Sequence, residues 1–297
     1  MTIQSGLKPL SWWPSFIALF CVAFLYYITH YVFVPYYTKI TGQPYLVGYL
    51  IGWISTVGII FLASLLAYKF ERNKINLKDF LIRYRLKNMS GKDWIWTILL
   101  ILVVLVTYFG LSSVSKWLSS FKLFAPHPDF PQDMSPEGVS NLKQGVLFGM
   151  TLKGKWWIVI AYFIGWVLNI LGEEFWYRGW MLPRQEVAFG KFAWLINGTM
   201  FTFQHWMQPW NFLSILPGAL FMSFVLQLRK NTWIGIIQHG LINLGLFIHV
   251  LRGVVGWIFR ITTAYYSFIK RTKSAWTSIL AHALNNTLPI IILMLIR

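Results

Sequence analysis

Glu173 and Glu174 stand side by side in GEEFWYRGWMLPR, His205 lies in FTFQHW, and His239 is followed four residues later by Asn243. Each group sits within or at the end of an apolar run, where an ionisable side chain is costly. Insertion scales put a charged residue at mid-membrane at about 2.5–3.5 kcal/mol, so such a residue is a functional candidate by default. Neighbouring helical residues point about 100° apart, so the two carboxylates face different partners. Glu174 and Arg178, four residues apart, can pair on one face. Glu173 then faces the interior of a helical bundle, unpaired by its own helix. Phe201 and His205 share one helical face, as do His239 and Asn243. Each group also has a bland reading: a salt-bridge anchor at the membrane surface for the acids, and helix-to-helix hydrogen bonds for the histidines.

Taken together these residues match the needs of amide hydrolysis, which requires an activated water, donors for a tetrahedral oxyanion and a proton for the leaving amine. A carboxylate and a histidine supply the first and last, and a second histidine with an asparagine amide supplies the donors. No GxSxG elbow and no HExxH is present, and the one cysteine, Cys21, has no acid in its segment, so serine, cysteine and zincin routes lack support. Glu173, His205 and His239 could equally hold zinc in a three-ligand catalytic site. The sequence leaves the metal-free and zinc versions open.

The elements that position these side chains must be membrane helices. The sequence is 57% hydrophobic and 12% charged, far from the usual balance of a soluble domain. Its net charge of +17 lies in short polar breaks between apolar runs, the distribution of the positive-inside rule, and not in one patch suited to nucleic acid. Runs long enough to span extend over Trp12–Tyr36, Tyr45–Tyr68, Trp94–Ser115, Trp156–Leu171, Phe192–Trp206, Phe212–Leu228, Trp233–Leu251, Val254–Ile269 and Ala275–Ile296. They are continuous, not alternating, which excludes a barrel. The fold class is all-α, a polytopic bundle of eight to nine spans.

The first run is too long for a signal-peptide core and reads as a retained anchor. The basic stretch between Glu71 and Asp93 should face the cytoplasm. By helical rise, Glu173 lies about 25 Å below Trp156 and His239 about 12 Å above Asn231, both in the inner half, with His205 nearer the middle. His30 and His249, near outer span ends, and His127, in the loop, carry no expected chemistry. The segment Lys116–Lys155 reads as a surface loop. RKNTWIGIIQHGLIN at 229–243 is echoed by KRTKSAWTSILAHALNN at 270–286, with His282 and Asn286 in place of His239 and Asn243.

The ordered set EExxxR (Glu173, Glu174, Arg178), FxxxH (Phe201, His205) and HxxxN (His239, Asn243) resembles the motifs of the CAAX protease and bacteriocin-processing family of intramembrane proteases. The resemblance covers about residues 156–256, followed by an extra C-terminal region, 257–297, with the second HxxxN, and preceded by a generic membrane region, 1–155. It implies an intramembrane endopeptidase in which Glu173 and His205 activate water, His239 and Asn243 form the oxyanion site, and Glu174 and Arg178 support the first motif. Relatives have also been described as metalloendopeptidases, which keeps zinc as the implied metal if there is one. Eukaryotic relatives trim prenylated proteins and bacterial ones are linked to bacteriocin maturation and self-immunity. The expected partners are the lipid bilayer and a peptide or lipidated-protein substrate, with no nucleic acid, and the expected location is a bacterial cytoplasmic membrane. His239 and Asn243 are preferred to His282 and Asn286 because they follow His205 after one intervening span. A non-catalytic immunity factor and, more distantly, a transporter are the competing functions.

Overall fold

Backbone polar groups in lipid must be paired within their own segment, and the apolar runs accordingly form helices. In a computed structural model, which describes residues 6–128, 130–136, 138 and 145–256, eleven α-helices follow one another. The first, α1 (Trp12–Ile28), passes through a π-helical turn, Thr29–Phe33, into α2 (Val34–Thr41), which ends at Gly42 with φ +66°. Then come α3 (Tyr45–Phe70), the short α4 (Leu77–Arg83), α5 (Gly91–Gly110) and α6 (Ser112–Ser119). A capping box of Ser90 and Asp93 starts α5. After a two-stranded hairpin, β1 (Val146–Leu147) and β2 (Met150–Thr151), α7 (Trp156–Glu173) leads into a π-helical segment, Glu174–Met181, and α8 (Leu182–Phe189). The described chain closes with α9 (Ala193–Phe203), α10 (Phe212–Arg229) and α11 (Trp233–Val255).

The protein is an all-α polytopic membrane bundle; of the eight to nine spans expected, seven fall within the described residues, and the structure has one fewer there. Among the described residues six helical runs are long and apolar enough to cross a membrane. The runs expected at Trp156–Leu171 and Phe192–Trp206 belong to a single 52-residue helical stretch, Trp156–Met207. Within it α9 has only 11 residues. That is about 16 Å at the helical rise, well short of a hydrocarbon core of about 30 Å. The chain reverses where Gly190 adopts φ +56°, and Asn197 on α9 donates to the Tyr177 carbonyl at 3.0 Å and to Gln185 at 2.8 Å. The run expected from Val254 begins inside α11 and otherwise, like Ala275–Ile296, lies outside the described residues.

Pairs α3 with α7, α9 with α10, α10 with α5, and α11 with both α7 and α5 make the main helix contacts. Small residues permit the closest ones: a Cβ on Gly198 would lie 2.8 Å from the Ala219 carbonyl oxygen, so α9 and α10 meet backbone to backbone. At the basic end the stretch between α3 and α5 turns back into the bundle. Arg83 is fully buried, grips Glu71 through two nitrogens at 2.5 and 2.6 Å, and donates to the Gly179 carbonyl at 2.7 Å. Arg85 makes a second two-pronged pair with Glu186, at 2.7 and 2.8 Å, and Arg229 reaches Asp93 at 2.8 Å. At the opposite end the Lys116–Lys155 segment is more than a surface loop. Phe130, Leu147 and Leu152 are buried, and Phe130 packs on His30 and Trp210 with ring centroids 6.0 and 5.2 Å apart. Loop burial of this kind came from aromatic contacts across the chain, which the proline-rich local sequence does not reveal.

Candidate active site

A cavity of about 360 Å³ inside the bundle is lined by Glu173, His205, His239 and Asn243 together, with Tyr26 and His30 also in its wall. Each wall has a local cause. The α-helix changes to π-helix between Glu173 and Glu174, a feature that widens the turn and recurs at functional sites. On α9 the helix gives way to a 3₁₀ turn at Gln204–Met207, where His205 leaves helical geometry with φ −79° and ψ +29°. This early stop is what carries His205 to the cavity, although helical rise alone set it at a different depth. On α11, Gly235 makes the approach possible: a Cβ there would collide with Glu174 Oε2, and His239 lies one turn further along.

The two carboxylates flank one imidazole. His239 Nδ1–H donates to Glu174 Oε1 at 3.1 Å, and His239 Nε2 lies 3.9 Å from Glu173 Oε2. Arg178 Nη1 reaches Glu174 Oε1 at 3.4 Å, so the expected pair on one face is present, but it is loose. The guanidinium sits over the Phe201 ring, 3.8 Å from its centroid, and that ring meets His205 and His239 edge-on at 5.2 and 6.1 Å. Phe201 therefore spaces a buried cation from two imidazoles. His205 Nδ1–H donates to the Phe201 carbonyl at 3.0 Å, which leaves Nε2 as the acceptor nitrogen of the neutral ring.

Glu173 is only 3% exposed, and its Oε1 accepts from the Tyr26 hydroxyl at 2.6 Å. Its Oε2 is buried and accepts no hydrogen bond from the described residues; the same holds for Glu174 Oε2. Buried polar atoms are nearly always paired, so an orphan carboxylate oxygen in a cavity marks a place where a polar ligand belongs. Asn243 lines the cavity one turn beyond His239. Tyr26 and His30 were not singled out by chemistry in the sequence. Their one available signal was the i, i+4 spacing of a tyrosine and a histidine inside an apolar run. His282 and Asn286 lie outside the described residues.

Zinc would have to draw its ligands from these same side chains. Among the described residues no three His, Cys, Asp or Glu form a group able to hold a metal ion. His239 Nδ1 bonds Glu174, and its Nε2 stands 3.9 Å from Glu173 Oε2; two ligands each about 2.0–2.2 Å from one tetrahedral zinc lie about 3.4 Å apart, so this pair would close by about 0.5 Å to share an ion. A second hollow, about 970 Å³ and almost wholly apolar, runs along the outside of the bundle between α1 and α9, from Trp12 past Phe20 to Phe203 and Trp206.

Residues 155–245 match the family model of the Rce1-like type II CAAX prenyl endopeptidases, 91 of the 297 residues. No curated protein and no solved structure matches the chain. The matched region holds all four of Glu173, His205, His239 and Asn243, and it is consistent with the CAAX-processing and bacteriocin-processing family. The chain is an integral membrane protein, and its residues 155–245 are similar to a domain of a proteolytic family.

Proposed function

With a Rce1-like domain over residues 155–245 as the premise, we propose that this chain is an intramembrane endopeptidase in which Glu173 is the general base for water. The observation that carries the reading is the unpartnered Glu173 Oε2 in a cavity shared with His205, His239 and Asn243. Water held between Glu173 Oε2 and His205 Nε2 loses a proton to the carboxylate as it attacks the scissile carbonyl. His239 Nε2–H and the Asn243 amide stabilise the oxyanion; the carboxylates of Glu173 and Glu174 on either side of His239 supply the counter-charge for a protonated ring. The proton then passes through His205 to the leaving amine as the tetrahedral intermediate collapses. Arg178 and Phe201 hold this set in place and do not touch the reacting atoms.

The substrate is read as a peptide or lipidated protein reaching the site from the bilayer, and the location as a bacterial cytoplasmic membrane. The test uses purified protein in liposomes with two quenched peptides of CAAX type, one farnesylated and one not. Wild type should cleave at least one of them, and Glu173→Gln should lose about 10³-fold or more in kcat, the upper part of the range for a general base. Retention of cleavage by Glu173→Gln overturns the mechanism. Absence of cleavage by wild type favours a non-catalytic membrane factor. Activity surviving loss of His239 but not of His282 would move the oxyanion site to the second HxxxN. Activity lost on chelation and regained with zinc would show that the site works through a metal.

A further inference from the structure

The catalytic reading leaves Tyr26 without a role, yet no other described side chain hydrogen-bonds Glu173. Tyr26 lies on α1, outside the matched region, 147 residues from its partner along the chain. It is 3% exposed, and its hydroxyl meets Glu173 Oε1 at 2.6 Å and Asn169 Oδ1 at 3.1 Å. Its position is fixed from two sides. His30 Nδ1–H donates to the Tyr26 carbonyl at 2.8 Å, and Thr29, in the same π-helical turn, bonds Thr56 on α3 at 2.5 Å.

We propose that Tyr26 is a positioning residue that holds Glu173 away from His239 so that Glu173 Oε2 stays open to water; the proposal rests on the protease reading above. The imidazole pulls the carboxylate one way. At 3.9 Å, His239 Nε2 and Glu173 Oε2 are one side-chain rotation from a direct pair, which would occupy both the base and an oxyanion donor. The phenol pulls from the opposite side, on the other oxygen, with a short bond to an ionised acceptor, the stronger class of hydrogen bond. Tyr177, whose buried hydroxyl has no hydrogen-bond partner among the described residues, does not share this task. The family-matched domain thus depends on a residue supplied by the first helix.

Tyr26→Phe removes one oxygen and keeps the ring. In the liposome assay kcat should fall about 30- to 100-fold, as for a reacting group displaced by about 1 Å, with KM within about twofold and the thermal unfolding temperature in detergent unchanged within a few degrees. Tyr27→Phe, one residue along and facing the apolar groove, is the control and should change neither constant. A purely packing role for the Tyr26 hydroxyl would lower the unfolding temperature and spare kcat, and that result overturns the proposal. A second measurement does not need cleavage. The infrared carboxyl bands of Glu173 are isolated as the difference between wild type and Glu173→Gln, and again between Tyr26→Phe and the double variant. The bands should shift when the phenol is lost; bands that stay in place overturn the proposal even if the peptides are cleaved. Bands that move in a protein that cleaves neither peptide support the contact and refute the protease reading alone.

Discussion

Two sets of buried or half-buried acids sit in this protein, and they are treated in opposite ways. At the basic end Glu71, Glu186 and Asp93 each meet an arginine at 2.5–2.8 Å, twice with both prongs of the guanidinium. At the cavity Glu173, and behind it Glu174, meet their arginine or imidazole partners at 3.1–3.9 Å, and each keeps one oxygen with no partner among the described residues. Close bidentate pairing is how a buried charge is made structurally safe. Slack pairing leaves a carboxylate able to act on something else. On the proposed mechanism the difference separates acids that hold helices together from acids kept ready for chemistry, a distinction that burial alone does not make.

The largest expected effect concerns Glu173. Glu173→Gln should abolish turnover, as above, while the protein unfolds at or above the wild-type temperature, because an unsatisfied buried charge is removed. A loss of several kcal/mol of stability there would place Glu173 with the structural acids. Next is Glu71→Gln, which leaves Arg83 fully buried and without its carboxylate. Breaking a buried pair from one side costs about 3–5 kcal/mol, read by denaturant unfolding in detergent, with kcat per folded molecule within about threefold of wild type. His205→Ala follows, with about a 10²-fold loss in kcat and little change in stability, since the ring makes one backbone hydrogen bond through Nδ1. Equal losses of stability in all three would erase the contrast.

Much of this was legible because membrane insertion penalises charge. An acid pair, two histidines and an asparagine in apolar runs of a chain with nine acids in all stand out without any structure. What stayed hidden has a common physical cause: it depends on partners distant in sequence. A tyrosine in a span costs little and reads as interfacial or packing, so Tyr26 gave no sign of its bond to Glu173. His30 has no acid in its own segment to mark it, because the cavity it lines takes its acid from another helix. The π-helical turns at Thr29–Phe33 and Glu174–Met181 have no compositional signature. Hydropathy marks Phe192–Trp206 as apolar but does not show that only 11 of its own residues stay α-helical before the chain turns. Conversely, the basic stretch between α3 and α5 was read for its side of the membrane, and two of its arginines turned out to be buried ties.

The smallest effect sharpens the contrast within the basic end itself. Glu186 is shared by Arg85, whose side chain is 6% exposed, and by Lys230, whose side chain is 44% exposed. Both contacts are close, so distance alone would rank them alike. Solvent screening and the entropy of holding a long side chain reduce an exposed pair to about 0–1 kcal/mol. Lys230→Ala should therefore change stability by less than about 0.5 kcal/mol, and the small change should fade further as salt is raised. Arg85→Ala leaves Glu186 at 13% exposure with only that lysine for company and should cost at least about 1–2 kcal/mol, the range for a lost charge-assisted hydrogen bond. If the two substitutions cost the same, then it is proximity and not burial that makes these acids structural, and Glu173 is set apart by its open oxygen alone.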